Sequence, residues 1–518
     1  MKARPAWRTL GRHAVAAACA FAAWAAQAAL DAPLWLDVAG RPSSAARDAL
    51  QALSDAATDG LAPQDYRADA LRSRAAALEG PATPPGDAST AFDRDLTAAM
   101  QSFLHDLHFG RADPRALGFR VGPRLDTRLE VDARLNAAAA QGRIAQAVTE
   151  ARPRFGQYSR LREALMRYRT IASDSTFTPL PGGTGVKPGE PYSAADALRQ
   201  RLVAFGDLTV DVVTPADRFD GALVEGLRRF QLRHGLAADG VLGRATRAAL
   251  EVPPARRVQQ LELALERLRW LPEPGTRPFV AINIPMFRLW AWDPNTPAAE
   301  PLGIGVIVGR ALNTQTPVLV EEMRYVIFRP YWNVPRSIAR NEVLPAMRHD
   351  PQYLERNMME IVRGEGDDAR PVAASAESLA ALAQGTLRVR QRPGPKNSLG
   401  LVKFIFPNDA NVYLHGTPAV QLFGRDRRDF SHGCVRVEDP VALAMWVLRD
   451  QPQWSRERIE AAMHDTASRR VDLLQPVPVI LYYMTAMVTG AEGSVRFADD
   501  LYGHDARLLR ALAARRAR

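Results

Sequence analysis

The chain has 518 residues, which is more than one hydrophobic core usually serves, so two or more domains are expected. Hydrophobic residues account for 47% and charged residues for 24%, which are ordinary globular values and exclude collagen-like, acidic-tail and coiled-coil classes. The formal net charge of +10 suits an anionic polymer without identifying it. Two cysteines are too few for a disulfide-rich scaffold.

Residues 1–28 are predicted to be a secretory signal peptide. Four basic residues precede an apolar run that ends at Ala26, and Ala26-Gln27-Ala28 has the small-x-small form of a cleavage site. The apolar run is too short for a permanent transmembrane helix. Cleavage would remove those four basic residues and no acidic ones, so the formal net charge of the exported chain falls from +10 to +6.

Cleavage after Ala28 would also remove Cys19 and leave Cys434 as the one cysteine of the mature chain. A lone thiol in an oxidising compartment has no intramolecular partner and is open to oxidation. This favours a chemical role for Cys434. The alternative is a buried cysteine that acts as a small hydrophobic residue.

Apolar spacing predicts a multidomain α+β fold. In the first part of the chain, apolar residues such as Phe92, Leu96 and Met100 recur every three or four positions, which predicts helices. Beyond Pro278 the period changes to two, which predicts short strands. The predicted parts are a helical scaffold (29–195), a small helical module (196–254), a helix returning to the scaffold (255–277), a mainly β domain (278–475) with a helical capping insert (about 336–386), and a C-terminal extension (476–518).

The segment 413–436 carries side chains that suit covalent catalysis. It contains His415 and, after the fifteen residues 416–430, Ser431-His432-Gly433-Cys434. A thiol becomes a strong nucleophile when a nearby base or cation lowers its pKa from about 8.5. His415 follows a predicted strand, and His432 would share a face with Cys434 in an extended segment. Both histidines are therefore candidate bases.

Two further residues of this segment suit an acyl-transfer site. Gly433 lets the backbone turn an N–H toward a developing oxyanion, although a tight turn would also explain it. Arg436 could hold a substrate carboxylate through two parallel hydrogen bonds, or it could pair with Glu438 or Asp426.

These residues resemble the motif of the L,D-transpeptidase family, in which a histidine precedes Ser/Thr-His-Gly-Cys by fourteen to seventeen residues. A second resemblance covers Phe230-Gln231, Asp239-Gly240 and Thr246, which are spaced as in the peptidoglycan-binding module of cell-wall enzymes. The chain is most similar to the large Gram-negative members, which add a helical scaffold and a capping insert to the catalytic domain.

The resemblance implies that Cys434 attacks the carbonyl of the third residue of a tetrapeptide stem and releases the terminal D-alanine. His415 would act as general base and then acid. Gly416 stands where the large members often carry aspartate, so it stays open whether a side chain or the Gly416 carbonyl orients His415. An amine on a second stem would then form a 3–3 crosslink, whereas water would give carboxypeptidase action.

The same resemblance implies the supporting residues of the site. Ser431 and the backbone at Gly433 and Cys434 would shape the oxyanion hole, and His432 would support it. The capping insert would cover bound stem peptides, and the aromatic stretch before it would line the pocket. Those lining residues are Tyr331, Trp332 and Asn333.

Two alternatives and the expected partners complete the interpretation. A zinc-dependent peptidase would use His415, His432 and Cys434 as ligands, and a non-catalytic wall-binding protein would need none of them.

The transpeptidase requires no cofactor. Its partners would be peptidoglycan stem peptides in the periplasm, with no nucleic acid. The basic tail over residues 507–518 could contact the membrane surface or other wall enzymes.

Overall fold

The computed structural model describes most of the chain beyond residue 32. The described residues are 33–80, 85–122, 128–174, 179–183, 185–211, 217–273, 275–296, 300–312, 314–364, 366, 369–490 and 493–516. The predicted signal peptide with Cys19, and the last two residues of the basic tail, lie outside them. The chain divides into two compact units, namely Met1–Gly110 with Arg124–Pro153, and Arg111–Pro123 with Arg154–Arg518.

The first unit is built from amphipathic helices. They are α1 (Ser44–Ser54), α2 (Ala68–Leu78), α3 (Gly86–Phe109), α4 (Arg128–Ala140) and α5 (Ile144–Ala151). Helix α1 begins after Ser43, whose hydroxyl accepts the Ala46 N–H and caps the helix. Helix α3 buries the predicted stripe of Phe92 and Leu96 and ends at Gly110, whose φ of 85° favours glycine.

The second unit begins with five helices. They are α6 (Gly156–Ser173), α7 (Ala195–Phe205), α8 (Gly221–Arg233), α9 (Arg244–Leu250) and α10 (Pro254–Leu268). The Gln231 amide joins α8 to the following turn and to α9, because it donates to Asp239 and Thr246 and accepts the Gly240 N–H at 2.9 Å. The residues that carry the second sequence resemblance therefore form one hydrogen-bonded unit.

The β strands follow α10. They are β1 (Phe279–Asn283), β2 (Arg288–Trp292), β3 (Leu302–Gly309), β4 (Leu319–Phe328), β5 (Trp332–Asn333), β6 (Met359–Arg363), β7 (Arg370–Val372), β8 (Arg388–Gln391), β9 (Val402–Ile405), β10 (Leu414–His415), β11 (Asp429–Ser431), β12 (Val435–Val437), β13 (Arg469–Tyr482), β14 (Ala486–Thr489) and β15 (Ser494–Phe497).

The largest sheet closes on itself. Among the described residues it has nine strands in the order β11-β3-β12-β10-β9-β4-β13-β1-β2, and β2 pairs again with β3. Because successive side chains of a strand point to opposite faces, a closed sheet fills its interior with every second residue. Phe404, Leu414 and Val435 are fully buried in that interior core.

The capping insert is a small α+β subdomain rather than the predicted helical stretch. It contains α11 (Arg336–Ile338), a π-helical turn (Ala339–Val343), α12 (Leu344–His349), α13 (Tyr353–Arg356) and α14 (Ala376–Gln384). A second sheet, in the order β5-β8-β6-β7, completes it. Strands β6 and β7 were not predicted because Met359–Arg363 and Arg370–Val372 are short, contain charged residues and alternate only weakly. They form because of tertiary packing. Ile361 and Val389 lie in the insert's own core.

The C-terminal part returns to the barrel. Helices α15 (Pro440–Val447) and α16 (Arg456–His464) precede β13, and α17 (His504–Arg516) follows the β14–β15 hairpin. Leu443, Ile459 and Leu508 pack on the barrel core. No helix within the described ranges combines the length and apolarity needed to cross a membrane.

The architecture confirms the predicted fold class of helical N-terminal region, helical module and mainly β domain. The strand that was predicted to precede His415 is short and includes it, because only Leu414–His415 pairs with neighbours. The turn before it is held instead by the Asn408 side chain, which donates to the Val412 carbonyl at 2.7 Å.

Removing the buried partner of Arg233 should destabilise the protein strongly. The Asp207 carboxylate pairs with both Nε and Nη2 of Arg233, at 2.6 and 2.5 Å, and both side chains are buried. We expect Asp207→Ala to lower the free energy of unfolding by about 3–5 kcal/mol, because it leaves a buried unpaired guanidinium. Denaturant unfolding measures this. The control is Asp196→Ala, which breaks the more exposed pair with Arg199 and should cost no more than about 0.5 kcal/mol. Equal losses in the two variants would contradict it.

Candidate active site

Alternation along three paired strands places the candidate residues on one outer face of the barrel. Leu414 pairs with Val435 on β12 and with Phe404 on β9, and all three point into the core. The residues beside them must therefore point outward. His415 pairs with Arg436, and the Val435 N–H donates to the Tyr413 carbonyl at 3.1 Å.

Cys434 immediately precedes β12 and lies across from Tyr413. His415 lies on β10 two residues beyond the position that faces Cys434, so the thiol and the imidazole stand on the same face of neighbouring strands. The structure thus brings the predicted nucleophile and the predicted base to the same face of adjacent strands. In the resting state the Cys434 thiol donates instead to the Asn411 carbonyl, 3.8 Å away.

A main-chain carbonyl orients the imidazole of His415. Its Nδ1 lies 2.5 Å from the carbonyl oxygen of Gly416. Because a carbonyl only accepts hydrogen bonds, Nδ1 must carry the proton, and Nε2 keeps its lone pair. The imidazole is therefore held as the tautomer that a general base requires.

Burial keeps this imidazole neutral. His415 is only 4% exposed. Desolvation first, and then the positive charges of Arg436 and Lys403, lower its pKa from 6.5 to about 3, against the opposing hydrogen bonds with the backbone of Gly416 and Leu399. His415 is accordingly an unprotonated base throughout the neutral pH range.

The Cys434 thiol is also neutral at rest, contrary to the expectation that a neighbouring imidazole ionises it. Burial raises the pKa of Cys434 above its ordinary value of 9.0, while hydrogen bonds from Tyr413 and the charges of Lys403 and Arg436 oppose that effect. Desolvation depends on what packs over the site, which residue spacing does not show. The proton therefore stays on the sulfur in the resting site.

The turn before Cys434 has a fixed backbone. Gly433 has a φ of 115°, a backbone conformation that residues other than glycine rarely adopt. The Ser431 hydroxyl accepts the Gly433 N–H at 3.1 Å and donates to the Cys434 carbonyl at 2.5 Å. The Gly433 N–H is thus already bonded, which leaves the Cys434 N–H as the main-chain donor of this turn for an oxyanion.

His432 contacts the capping insert rather than Cys434. Its Nε2 lies 2.7 Å from Oε1 of Glu342, which is on the π-helical turn of the insert. The pair is partly exposed, so its contribution to stability is small. It nevertheless ties the insert to the loop that carries Cys434.

The outer face also carries unpaired positive charge. Arg436 forms no ion pair with Glu438 or Asp426 in the described chain, and its buried Nε has no hydrogen-bond partner there. Lys403 lies on the same face, with Nζ 3.8 Å from the centre of the Tyr413 ring. The site therefore presents cations to an acidic ligand.

The predicted lining residues lie on the insert sheet. Trp332 and Asn333 form β5, which pairs with β8, and the Arg390 guanidinium lies 4.2 Å from the centre of the Tyr331 ring. Trp332 packs against the insert core. Within the described ranges, no hydrogen bond or ring contact joins these three residues to His415 or Cys434.

Three further residues lie at the site that were not predicted from the sequence, namely Tyr413, Lys403 and Glu342. The alternation of inward and outward residues along a strand was the available signal for Tyr413 and Lys403. Each is the outward-facing neighbour of a buried core residue. Glu342 had no such signal, because it reaches His432 across ninety residues of chain.

The three potential zinc ligands do not form a metal site. In the part of the chain that the structure describes, no group of three or more His, Cys, Asp or Glu side chains is arranged to hold an ion. His415 bonds to a carbonyl and His432 to Glu342. The zinc alternative therefore lacks a ligand set.

Comparison with known proteins supports the sequence resemblance. Residues 277–470 match the model of the L,D-transpeptidase catalytic domain, residues 27–165 match a scaffold domain, and residues 192–250 match a putative peptidoglycan-binding domain. A putative L,D-transpeptidase of Haemophilus influenzae is 31% identical over 287 residues, which cover 54% of this chain and 56% of that protein. The match thus spans about half the length of the curated relative. These findings confirm the predicted resemblance.

The pH dependence of Cys434 alkylation should reveal the neutral pair. Because the pKa of Cys434 is raised above 9.0 and that of His415 is lowered to about 3, the thiolate fraction should rise steadily with pH and not level off near pH 6. Iodoacetamide alkylation, followed by intact-protein mass spectrometry from pH 5 to 10, measures this, with Cys434→Ala as the control for off-target labelling. A plateau between pH 5 and 7 would instead show a resting thiolate–imidazolium pair.

Proposed function

We propose that this chain is an exported peptidoglycan L,D-transpeptidase with Cys434 as its nucleophile, since residues 277–470 match the L,D-transpeptidase catalytic domain. One observation carries the proposal. Cys434 and His415 share the outer face of two paired strands, and a carbonyl holds the His415 ring so that Nε2 can accept a proton. That arrangement is what nucleophilic acyl transfer needs.

Acylation follows from this geometry. His415 Nε2 takes the thiol proton as Sγ of Cys434 attacks the carbonyl of the third residue of a tetrapeptide stem. The Cys434 N–H donates to the oxygen that becomes negative. When the intermediate collapses, the bond to the terminal D-alanine breaks, and His415 returns the proton to the leaving amine. The product is a thioester on Cys434.

The second half of the reaction reverses these roles. A primary amine attacks the thioester, His415 accepts its proton, and the Cys434 sulfur leaves and is reprotonated. An amine on a second stem gives a 3–3 crosslink, a lipoprotein lysine gives an anchored protein, and a free D-amino acid gives an exchanged stem. Water gives hydrolysis.

Several features support action at the cell wall. Residues 192–250 match a putative peptidoglycan-binding domain, which suits a protein that works on the wall. The predicted signal peptide over residues 1–28 would deliver the chain to the periplasm. Stem peptides carry carboxylates, and the unpaired cation of Arg436 on the Cys434 face suits them.

The acyl-enzyme tests the proposal directly. With disaccharide-tetrapeptide, the wild-type protein should release D-alanine and gain the mass of the remaining donor on Cys434. A carbapenem should also add its full mass, because its strained ring carbonyl opens onto sulfur without losing a leaving group. Intact-protein mass spectrometry measures both adducts. Cys434→Ala should give neither and should retain the wild-type unfolding midpoint.

Other results would contradict the proposal. An unmodified wild-type mass with both compounds would favour the non-catalytic wall-binding alternative. Activity that survives in Cys434→Ala and disappears with a chelator would favour metal-dependent hydrolysis.

Arg436 should contribute to donor binding through charge. We expect Arg436→Gln to lower kcat/KM for the tetrapeptide by about 10- to 100-fold, since a charge-assisted hydrogen bond contributes about 1.5–3 kcal/mol. Release of D-alanine at varied substrate concentration measures this. A tetrapeptide with an amidated C-terminus is the matched substrate. If the loss is the same for both substrates, Arg436 does not contact the terminal carboxylate.

A further inference from the structure

A chain of hydroxyl groups joins the C-terminal segment to the turn before Cys434. The Tyr502 hydroxyl accepts the Thr316 N–H at 3.2 Å and donates to the Gly309 carbonyl at 2.6 Å. The Thr316 hydroxyl accepts the Gly309 N–H at 2.8 Å and donates to the Gly433 carbonyl at 2.7 Å. Each hydroxyl oxygen accepts one N–H, so its single hydrogen is left to donate to the neighbouring carbonyl.

These hydroxyl groups are buried, and a second tyrosine holds Tyr502 in place. Thr316 and Tyr483 are each 1% exposed, and Tyr502 is 9% exposed. The Tyr483 hydroxyl accepts the Tyr502 N–H at 2.9 Å and donates to Asp500 at 2.8 Å. An unpaired buried hydroxyl costs free energy, so these hydroxyl groups favour the one arrangement in which all of them are hydrogen-bonded.

Gly309 makes the close approach possible. A β carbon at this position would lie 2.0 Å from the Thr314 carbonyl oxygen and 2.7 Å from the Thr316 nitrogen. Only glycine therefore lets the loop after β3 fold back against the strand and bring the Thr316 hydroxyl to the Gly433 carbonyl.

The Gly433 carbonyl and the Cys434 N–H belong to the same peptide unit. A trans peptide is planar, and its C=O and N–H point in opposite directions. When Thr316 holds the carbonyl on one side, the Cys434 N–H must point to the other. The Gly433 N–H cannot replace it, because the Ser431 hydroxyl accepts that hydrogen. The direction of the oxyanion donor thus depends on Thr316.

We propose that Thr316 and Tyr502 are positioning residues, which aim the Cys434 N–H at the oxyanion through the Gly433 carbonyl. The C-terminal segment beyond the matched catalytic range would then be part of the catalytic apparatus. This rests on the proposed acyl transfer at Cys434. It assigns a function to Tyr502, which follows the matched range 277–470, and to Thr316, which lies within it.

Two reactions of the same sulfur separate positioning from packing. Acylation by a carbapenem builds negative charge on oxygen and needs the aimed N–H, whereas displacement of iodide from iodoacetamide builds none there. Thr316→Val keeps the side-chain shape and removes both hydroxyl bonds. We expect it to lower the acylation rate constant and kcat for D-alanine release by about 10- to 100-fold, with KM and the alkylation rate within about threefold of wild type.

Matched variants serve as controls. Thr316→Ser keeps the hydroxyl and should restore most of the acylation rate. Tyr502→Phe keeps the ring and should lower acylation by a smaller factor, because the Thr316 hydroxyl remains. Tyr66→Phe removes a buried tyrosine hydroxyl from the first compact unit, where it donates to Asp106 at 3.0 Å. It should leave acylation unchanged.

The outcomes are distinguishable. Wild-type acylation in Thr316→Val would overturn the proposal, and so would a parallel fall in acylation and alkylation, since that indicates a loss of packing. A larger effect of Tyr66→Phe than of Tyr502→Phe would also overturn it. If the wild-type protein is neither acylated nor releases D-alanine, the proposed function itself fails. A selective fall in acylation that Thr316→Ser reverses would support the inference.

Discussion

The apolar interior of the closed sheet is the constraint on which the site depends. Leu414, Val435 and Phe404 must face that interior, so the residues beside them on three adjacent strands have one direction left. His415 and Cys434 meet on the outer face for this reason. The same core that stabilises the barrel therefore sets the direction of the proposed nucleophile and the proposed base, and a one-residue slip in register would point both inward.

Desolvation gives the site its resting chemistry. Burial acts on His415 and Cys434 in the same sense, since it disfavours the charged form of each. The cations Arg436 and Lys403 lower both pKa values and so favour an unprotonated imidazole. A site that holds its proton on sulfur until substrate arrives presents a less oxidisable thiol than a resting thiolate would.

Elements remote in sequence complete the site from two directions. The capping insert reaches the Cys434 loop through Glu342 and His432. The C-terminal segment reaches it from behind through Tyr502 and Thr316. The contact between His432 and Glu342 is partly exposed, whereas the hydroxyl groups of Tyr502 and Thr316 are buried and hydrogen-bonded. The exposed contact can be broken at small free-energy cost, whereas breaking the buried hydrogen bonds would leave unpaired polar groups at a larger cost.

The sequence by itself determined the apolar stripes of the helices and the switch to strands with a two-residue period beyond Pro278. It also determined that Cys434 and His415 are the candidate nucleophile and base. These features depend on local spacing and on residue chemistry. It also indicated the tight turn at Gly433. Only the tertiary structure decided which strands pair, that Glu342 meets His432, and that the C-terminal segment supports the Gly433 carbonyl. It likewise decided that thiol and imidazole are both neutral. These facts depend on contacts between distant parts of the chain and on the water that packing excludes, neither of which local spacing records.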